Sequence, residues 1–222
     1  MGPVSRSNNE GMHLDHLSYA AGPDGLKETA KRLGNELGAT FDDGGFHPQF
    51  GTRNQILALS GGQYLEVVEV LDHPAADKAV FGQAVRARSA AGGGWLGWVI
   101  AVDDLESIEE RMGRTAIEGH RRRPDGVLLQ WHQIGVKDLI KDRQLPFFVH
   151  WESDPSTHPS VGGHEVQLLK LEIAGQRARV DDWLGGSAEE IVDDVDIEWS
   201  RPEAEPGVVA AVFTTARGEV RI

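Results

Sequence analysis

Three stretches of the chain carry the same order of apolar strand, amphipathic helix and further strands, beginning near His13, Gly97 and Glu165. Repetition of one supersecondary unit constrains the fold more than any single motif, because each copy must bury its apolar face against another. In the first unit His16 lies on the opening strand and Glu66 on the closing one. If the unit curves into a cup, an imidazole and a carboxylate converge inside it, a donor pair that suits zinc and similar divalent ions.

The spacing supports this reading element by element. Residues 14–20 suit a strand, and Leu26, Ala30, Leu33 and Leu37 recur at helical intervals. Pro23 and Asp24 suit the first turn of that helix and Gly38 its exit. Residues 46–54 are expected to be an irregular loop after the glycine-rich 42–45. Strands at 56–59 and 64–70 follow, joined by Ser60, Gly61 and Gly62. Residues 71–94 form a connector, helical over 74–91 and ended by Gly92, Gly93 and Gly94. The second unit opens with a strand at 98–102. A helix capped by Asp103 with Glu106 returning the bond comes next, then strands at 127–134 and 147–152. The third unit has a strand at 166–173, a helix carrying Val180, Trp183 and Leu184, and strands near 195–199, 208–214 and 219–222.

Composition narrows the function classes. A length of 222 residues allows one or two compact domains, and the net charge of -13 disfavours nucleic acid and anionic membrane surfaces as partners. The run Arg121, Arg122, Arg123 is read either as a solvated loop or as an anion clamp. With no cysteine, disulfides and thiolate sites are excluded, so a metal would need His, Asp, Glu or water. Residues 1–12 lack the apolar core of a secretory signal and are expected to form a flexible tail, with cytoplasmic location as the default. No apolar run approaches the about 20 residues that cross a bilayer. Neither a nucleophile elbow nor a phosphate loop occurs.

Asp15 and His16, then Gly44, Gly45, His47, Pro48, Gly51, Thr52 and Asn54, then Tyr64, Leu65 and Glu66 form a pattern. It continues through Arg123, Pro124, Asp125, Gly126, Trp131, Leu145, Pro146, Phe147, Phe148, Trp151, His158 and Pro159. On these positions residues 13–164 resemble the vicinal oxygen chelate superfamily, and within it the glyoxalase-like domain group. The resemblance implies an α+β fold of repeated βαβββ modules forming curved mixed sheets, with two modules in 13–164; the element pattern adds a third module-like unit over 165–222 on the same body. It also implies a divalent metal held by opening and closing strands, stabilising an enolate or similar anion on a substrate with adjacent oxygens. His16 and Glu66 match the first module's ligand positions, whereas the second module offers only Gly97 or Trp98 at its opening position. His150 aligns best with Glu66, which gives a ligand set of His16, Glu66 and His150.

Two readings follow. In one, the protein is a metal-dependent lyase, isomerase or dioxygenase, with Glu66 or Glu152 as the general base. In the other it is a metal-free protein that binds or sequesters a small molecule, with Trp98, Trp131 and Trp151 as stacking walls. In both, His47, Thr52, Asn54, Trp98, Arg123, Gln130 and His132 are candidates for the pocket. Each has a plainer alternative: loop hydrogen bonding for His47, Thr52 and Asn54, core packing for Gln130, His132 and the tryptophans, and a solvated loop for Arg123. The third unit is expected to cover a sheet edge or to pair across a homodimer axis.

Overall fold

The structure is a computed structural model and describes residues 11–163, 165–192, 194–201 and 205–222. Most of the tail expected at the N-terminus, residues 1–10, and His164 lie outside the described residues. Met12 already belongs to the first strand.

The first module contains β1 (Met12–Ala20), α1 (Leu26–Leu37), β2 (Asp42–His47), β3 (Thr52–Ala58) and β4 (Tyr64–Val70). The helical stripe Leu26, Ala30, Leu33 and Leu37 is buried, and α1 ends at Gly38 in the left-handed conformation that glycine adopts without strain. Pro23 and Asp24 precede the helix, whose N-cap is Gly25. The irregular loop expected at 46–54 is a tight turn between two strands. Gly44 and Gly45 let β2 run close to its neighbours, and His47 pairs with Thr52 at the hairpin end. The glycines conceal the strand from a pattern reading, because β2 has almost no alternating apolar side chains.

The connector is two helices, α2 (Pro74–Lys78) and α3 (Val80–Ala90), interrupted at Ala79 by extended backbone. The second module then repeats the order: β5 (Gly94–Val102), α4 (Leu105–Met112), β6 (Ile117–Arg122), β7 (Leu128–Ile134) and β8 (Phe147–Trp151), with a short α5 (Val136–Lys141) before β8. Asp104, not Asp103, caps α4, accepting from the Ser107 backbone N–H at 3.1 Å. β6 contains most of the arginine run.

The eight strands close into a barrel in the order β1-β4-β3-β2-β6-β7-β8-β5. Each module pairs its first and last strands in parallel, β1 with β4 and β5 with β8, and β1 runs antiparallel to β5 at the seam. Closure leaves the barrel with no open edge. At one point the seam is irregular: Leu14 faces Ile100 and His16 faces Val99, so Asp15 is an extra residue on β1. Such a bulge re-aims the side chains on either side of it.

The third unit contains β9 (Gln167–Ala174), α6 (Arg177–Leu184), α7 (Ala188–Ile191), β10 (Asp196–Ser200), β11 (Gly207–Thr215) and β12 (Gly218–Arg221). Its sheet order, β10-β9-β11-β12, differs from the 1-4-3-2 order of the two barrel modules. Here the first strand pairs in parallel with the second, β10, rather than with the last. Leu168, Leu171, Ile173, Ala211 and Phe213 join Leu14, Leu17, Trp98, Ile100 and Phe148 in one core. The third sheet thus covers the outer face of the barrel seam. Among the described residues no helix is long and apolar enough to cross a membrane.

Candidate functional site

Alternation along the strands sends a second set of side chains into the barrel. A cavity of about 30 Å³ is lined by His16, His47, Phe50, Asn54, Tyr64, Glu66, Phe81, Arg121, Trp131, Gln133, Phe147, Val149 and Trp151. Both His16 and Glu66 are 5 % exposed. His16 Nε2 stands 3.8 Å from Glu66 Oε1, so the opening and closing strands of the first module do bring imidazole and carboxylate together.

Both groups are held from behind. Asp15 lies 2.6 Å from His16 Nδ1, close enough to fix the ring and leave Nε2 facing the cavity. The same carboxylate accepts from Trp151 Nε1 at 3.0 Å and meets His158 Nε2 at 3.1 Å. The His16 ring stacks on Tyr64 with centroids 4.4 Å apart and meets Phe147 edge-on at 6.2 Å. Glu66 Oε1 accepts from the Ser18 hydroxyl at 2.6 Å, its partner in the parallel register, and Oε2 accepts from Asn54 Nδ2 at 2.8 Å.

Arg121 enters the same cavity from β6. Its Nη1 donates to the Gly44 carbonyl at 2.5 Å and to Asn54 Oδ1 at 3.1 Å. Gly44 is required here: a Cβ would collide with Asn54 Oδ1 and fall 2.5 Å from Arg121 Nη1. His47 Nδ1 is 2.9 Å from the Thr52 hydroxyl, and its ring meets Trp131 edge-on.

The charges follow from this packing. Burial works to raise the Asp15 carboxyl, but the hydrogen bonds and charges of His158 and His16 outweigh it and hold the group well below the usual carboxylate range. Burial likewise opposes ionisation of Glu66, yet His16, His47, Ser18 and Asn54 lower its pKa. Burial, followed by the charge of Arg121, pushes the His47 imidazole down to about 3, so it is neutral at pH 7. Burial and the nearby Asp15 and Glu66 raise the Tyr64 phenol well above its ordinary value. Burial lowers Arg121, although a guanidinium stays charged in proteins.

Several expected residues lie elsewhere. His150 is on the opposite face of β8, where its Nδ1 lies 2.8 Å from the Val102 carbonyl, and it lines a separate outer cavity. The parallel registers explain this. Ser18 faces Glu66 in the first module as Ala101 faces Val149 in the second, so Val149 holds the position matching Glu66. Buried side chains occur on both faces of β8, Phe147 and Val149 on one and Phe148 on the other, which makes its polarity a misleading guide to the interior. Glu152 is near His132, 3.1 Å away, outside the barrel. Gln130 and His132 point outward because Trp131 and Gln133 take the inner face of β7. Trp98 is fully buried in the outer core and donates to the Gln144 carbonyl at 2.9 Å. Arg123 is paired with Asp125 in the exposed β6–β7 turn, and Arg121 is the inward member of the run. Thr52 is buried behind His47. Trp131 and Trp151 are cavity walls.

The residues do not fit the three-ligand metal centre. His150 is on the wrong side of the sheet, and among the described residues no group of three His, Asp or Glu side chains gathers to hold an ion. Both Glu66 oxygens already accept hydrogen bonds, and the third charged group at the cavity is a cation, Arg121.

Sequence reasoning gives Asp15, Ser18 and Tyr64 no role of their own, and it takes Arg121 only as part of a run that is either a solvated loop or an anion clamp. Residues 117–122 carry no apolar alternation that marks Arg121 as inward; the structure does so by burying only Gly119 and Arg121 of that strand.

The chain resembles solved structures of this architecture. A hypothetical protein from Staphylococcus aureus superposes with a TM-score of 0.63 at 15% identity, covering 88% of each chain. A methylmalonyl-CoA epimerase from Streptomyces coelicolor, 15% identical, covers 64% of this chain and 96% of its own with a TM-score of 0.41. A variant of 4-hydroxymandelate synthase from the same organism, 13% identical, covers 95% of this chain and 62% of its own with a TM-score of 0.43. No curated protein matches the chain in sequence. The glyoxalase-like domain family matches residues 14–185, which is most of the chain. With the paired βαβββ barrel, that match places this protein in the glyoxalase-like domain family.

Proposed function

We propose that the barrel binds a small molecule through an oxygen-bearing head and moves a proton on it, as in lyase or isomerase chemistry. His16 is the base. Its Nδ1 faces Asp15, its Nε2 faces the cavity, and Glu66 at 3.8 Å stabilises the imidazolium that forms when it takes a proton. Glu66 itself is a poorer base, because Ser18 and Asn54 hold it as the anion. Arg121 supplies the fixed positive charge for the oxygen.

In the step envisaged, Nε2 removes a proton from the carbon beside a carbonyl. The C–H electron pair moves into the C–C bond, and the carbonyl π pair becomes the enolate oxygen lone pair facing Arg121. Returning the proton to the same carbon or a neighbouring atom completes a racemisation or isomerisation with no oxidant or reductant. A charge prepositioned in a dry cavity is worth far more to such an oxyanion than one in water. The supporting observation is the joint burial of His16, Glu66 and Arg121 on one cavity.

The aromatic walls also suit a metal-free binding protein. Solvent-deuterium incorporation into a panel of 2-oxo acids, 2-hydroxy ketones and 1,3-dicarbonyls by chelator-treated protein separates the readings. The expected result is incorporation without added metal. Binding with no incorporation favours the sequestering role, and incorporation only after Zn²⁺ or Mn²⁺ is added reinstates a metal.

A further inference from the structure

A second chamber adjoins the first. It has a volume of about 470 Å³ and shares Phe50, Phe81 and Gln133 with the inner cavity as a common wall. Its remaining apolar lining comes from Ala79 and Val80 of the connector, Ile117 of β6, and Ile134 and Val136 beside α5. Ile117 is 54% exposed at this rim, an apolar side chain with no protein surface to cover it.

The polar groups of the chamber are unevenly charged. Lys78 and Lys137 both line it, and neither has a carboxylate partner among the described residues. Arg114 is held by Asp138, His120 stands on β6, and Glu118 is the one carboxylate in the lining. In a chain with a net charge of -13, two uncommitted ammonium groups on one apolar chamber form a local positive field. The inner cavity, at about 30 Å³, has room for only a few atoms. A molecule whose reactive head enters it has its body outside, and the outer chamber is an adjoining space that shares three wall residues with it. The Phe50 and Phe81 rings, 5.8 Å apart, stand between the two.

We infer that the outer chamber takes the apolar body and an anionic end of the substrate, the carboxylate or phosphate being drawn to Lys78 and Lys137. The substrate class is then an elongated molecule with an oxygen-bearing head at one end and a negative charge at the other. This assignment rests on the inner cavity being the reacting site. Its own test is binding alone.

Octanoate and octanamide share length and apolar area and differ in charge. Titrated into the ¹⁵N-labelled protein, octanoate is expected to bind about tenfold more tightly than octanamide. Its amide shifts should centre on Val80, Ile117 and Val136. The double variant Lys78→Glu, Lys137→Glu should lose that preference while binding octanamide as the wild type does. Octyl phosphate in place of octanoate separates the two sources of charge, and either one binding in this manner supports the assignment. Equal affinity for amide and acid, shifts centred elsewhere, an unchanged double variant, or no binding of any of the three at millimolar concentration overturns it. Because none of these readings needs catalysis, failure of deuterium incorporation would fall on the proton-transfer proposal alone.

Discussion

The two barrel modules share a topology and differ in what they turn inward. At matching positions, by the parallel registers, the first presents His16, Ser18, Tyr64 and Glu66 where the second presents Val99, Ala101, Phe147 and Val149. The first interior half is a hydrogen-bonded polar network and the second is mostly a hydrocarbon wall. Backbone pairing therefore duplicates the barrel without duplicating the chemistry. The two halves also complement each other, because the apolar one excludes water and lowers the local dielectric, which strengthens the electrostatics of the polar one. Arg121 is the second module's one charged contribution to the cavity.

The largest effect should come from weakening the apolar wall. Phe147→Ala removes a ring buried against His16 and Phe81 and should destabilise the fold by about 3–5 kcal/mol. Urea unfolding measures this, and a loss under about 1 kcal/mol would mean the wall is not closely packed.

Removing the cation tests the cavity from its other side. Arg121→Met should lower the deuterium-incorporation rate by about 10²–10³-fold with little change in the fold's circular dichroism. An unchanged rate would show that the oxygen is stabilised elsewhere.

The pH dependence of stability should follow His47. Its folded pKa, about 3, lies below its unfolded value, so the unfolded chain takes up the proton first as pH falls. Stability attributable to it is complete above about pH 6.5 and declines toward pH 3, by at most about 1.4 kcal/mol per pH unit. Asp15 and Glu66 have lowered pKa values, so their contribution is present above the ordinary carboxylate range and is lost on further acidification through their folded values. Denaturant midpoints of wild type and His47→Gln across pH 4–7 check the first window. Parallel curves would contradict it.

The smallest effect belongs to the outward residues of β7. Gln130→Ala should shift stability by under about 0.5 kcal/mol and leave incorporation unaltered, since its side chain faces away from the cavity.

Much of this architecture is legible in the sequence. Helix α1 announces itself through four apolar residues at helical spacing, and strands β4 and β8 through apolar runs bounded by turn residues. His16 and Glu66 are readable as a pair because each sits on a strand whose partner strand follows from the module order. The rest is hidden for physical reasons. Glycines at 44 and 45 remove the side chains that mark a strand. Three consecutive arginines resemble a solvated turn although one of them is buried. Both faces of β8 carry buried side chains, Phe147 and Val149 toward the barrel interior and Phe148 against Trp183 of α6, so polarity does not tell inside from outside and His150 reads as inward when it is not. Asp15 owes its position to a bulge in the seam, a feature of pairing rather than composition.

In the function proposed above, the first module's imidazole carries the chemistry and the second module's histidine does not. Deuterium incorporation by chelator-treated wild type, His16→Gln and His150→Gln, measured together on the best substrate of the panel, addresses this directly. The expected result is a loss of about 10²–10⁴-fold in His16→Gln and a rate within about twofold of wild type in His150→Gln. Equal losses in both variants, or a His16→Gln protein as active as wild type, would contradict it.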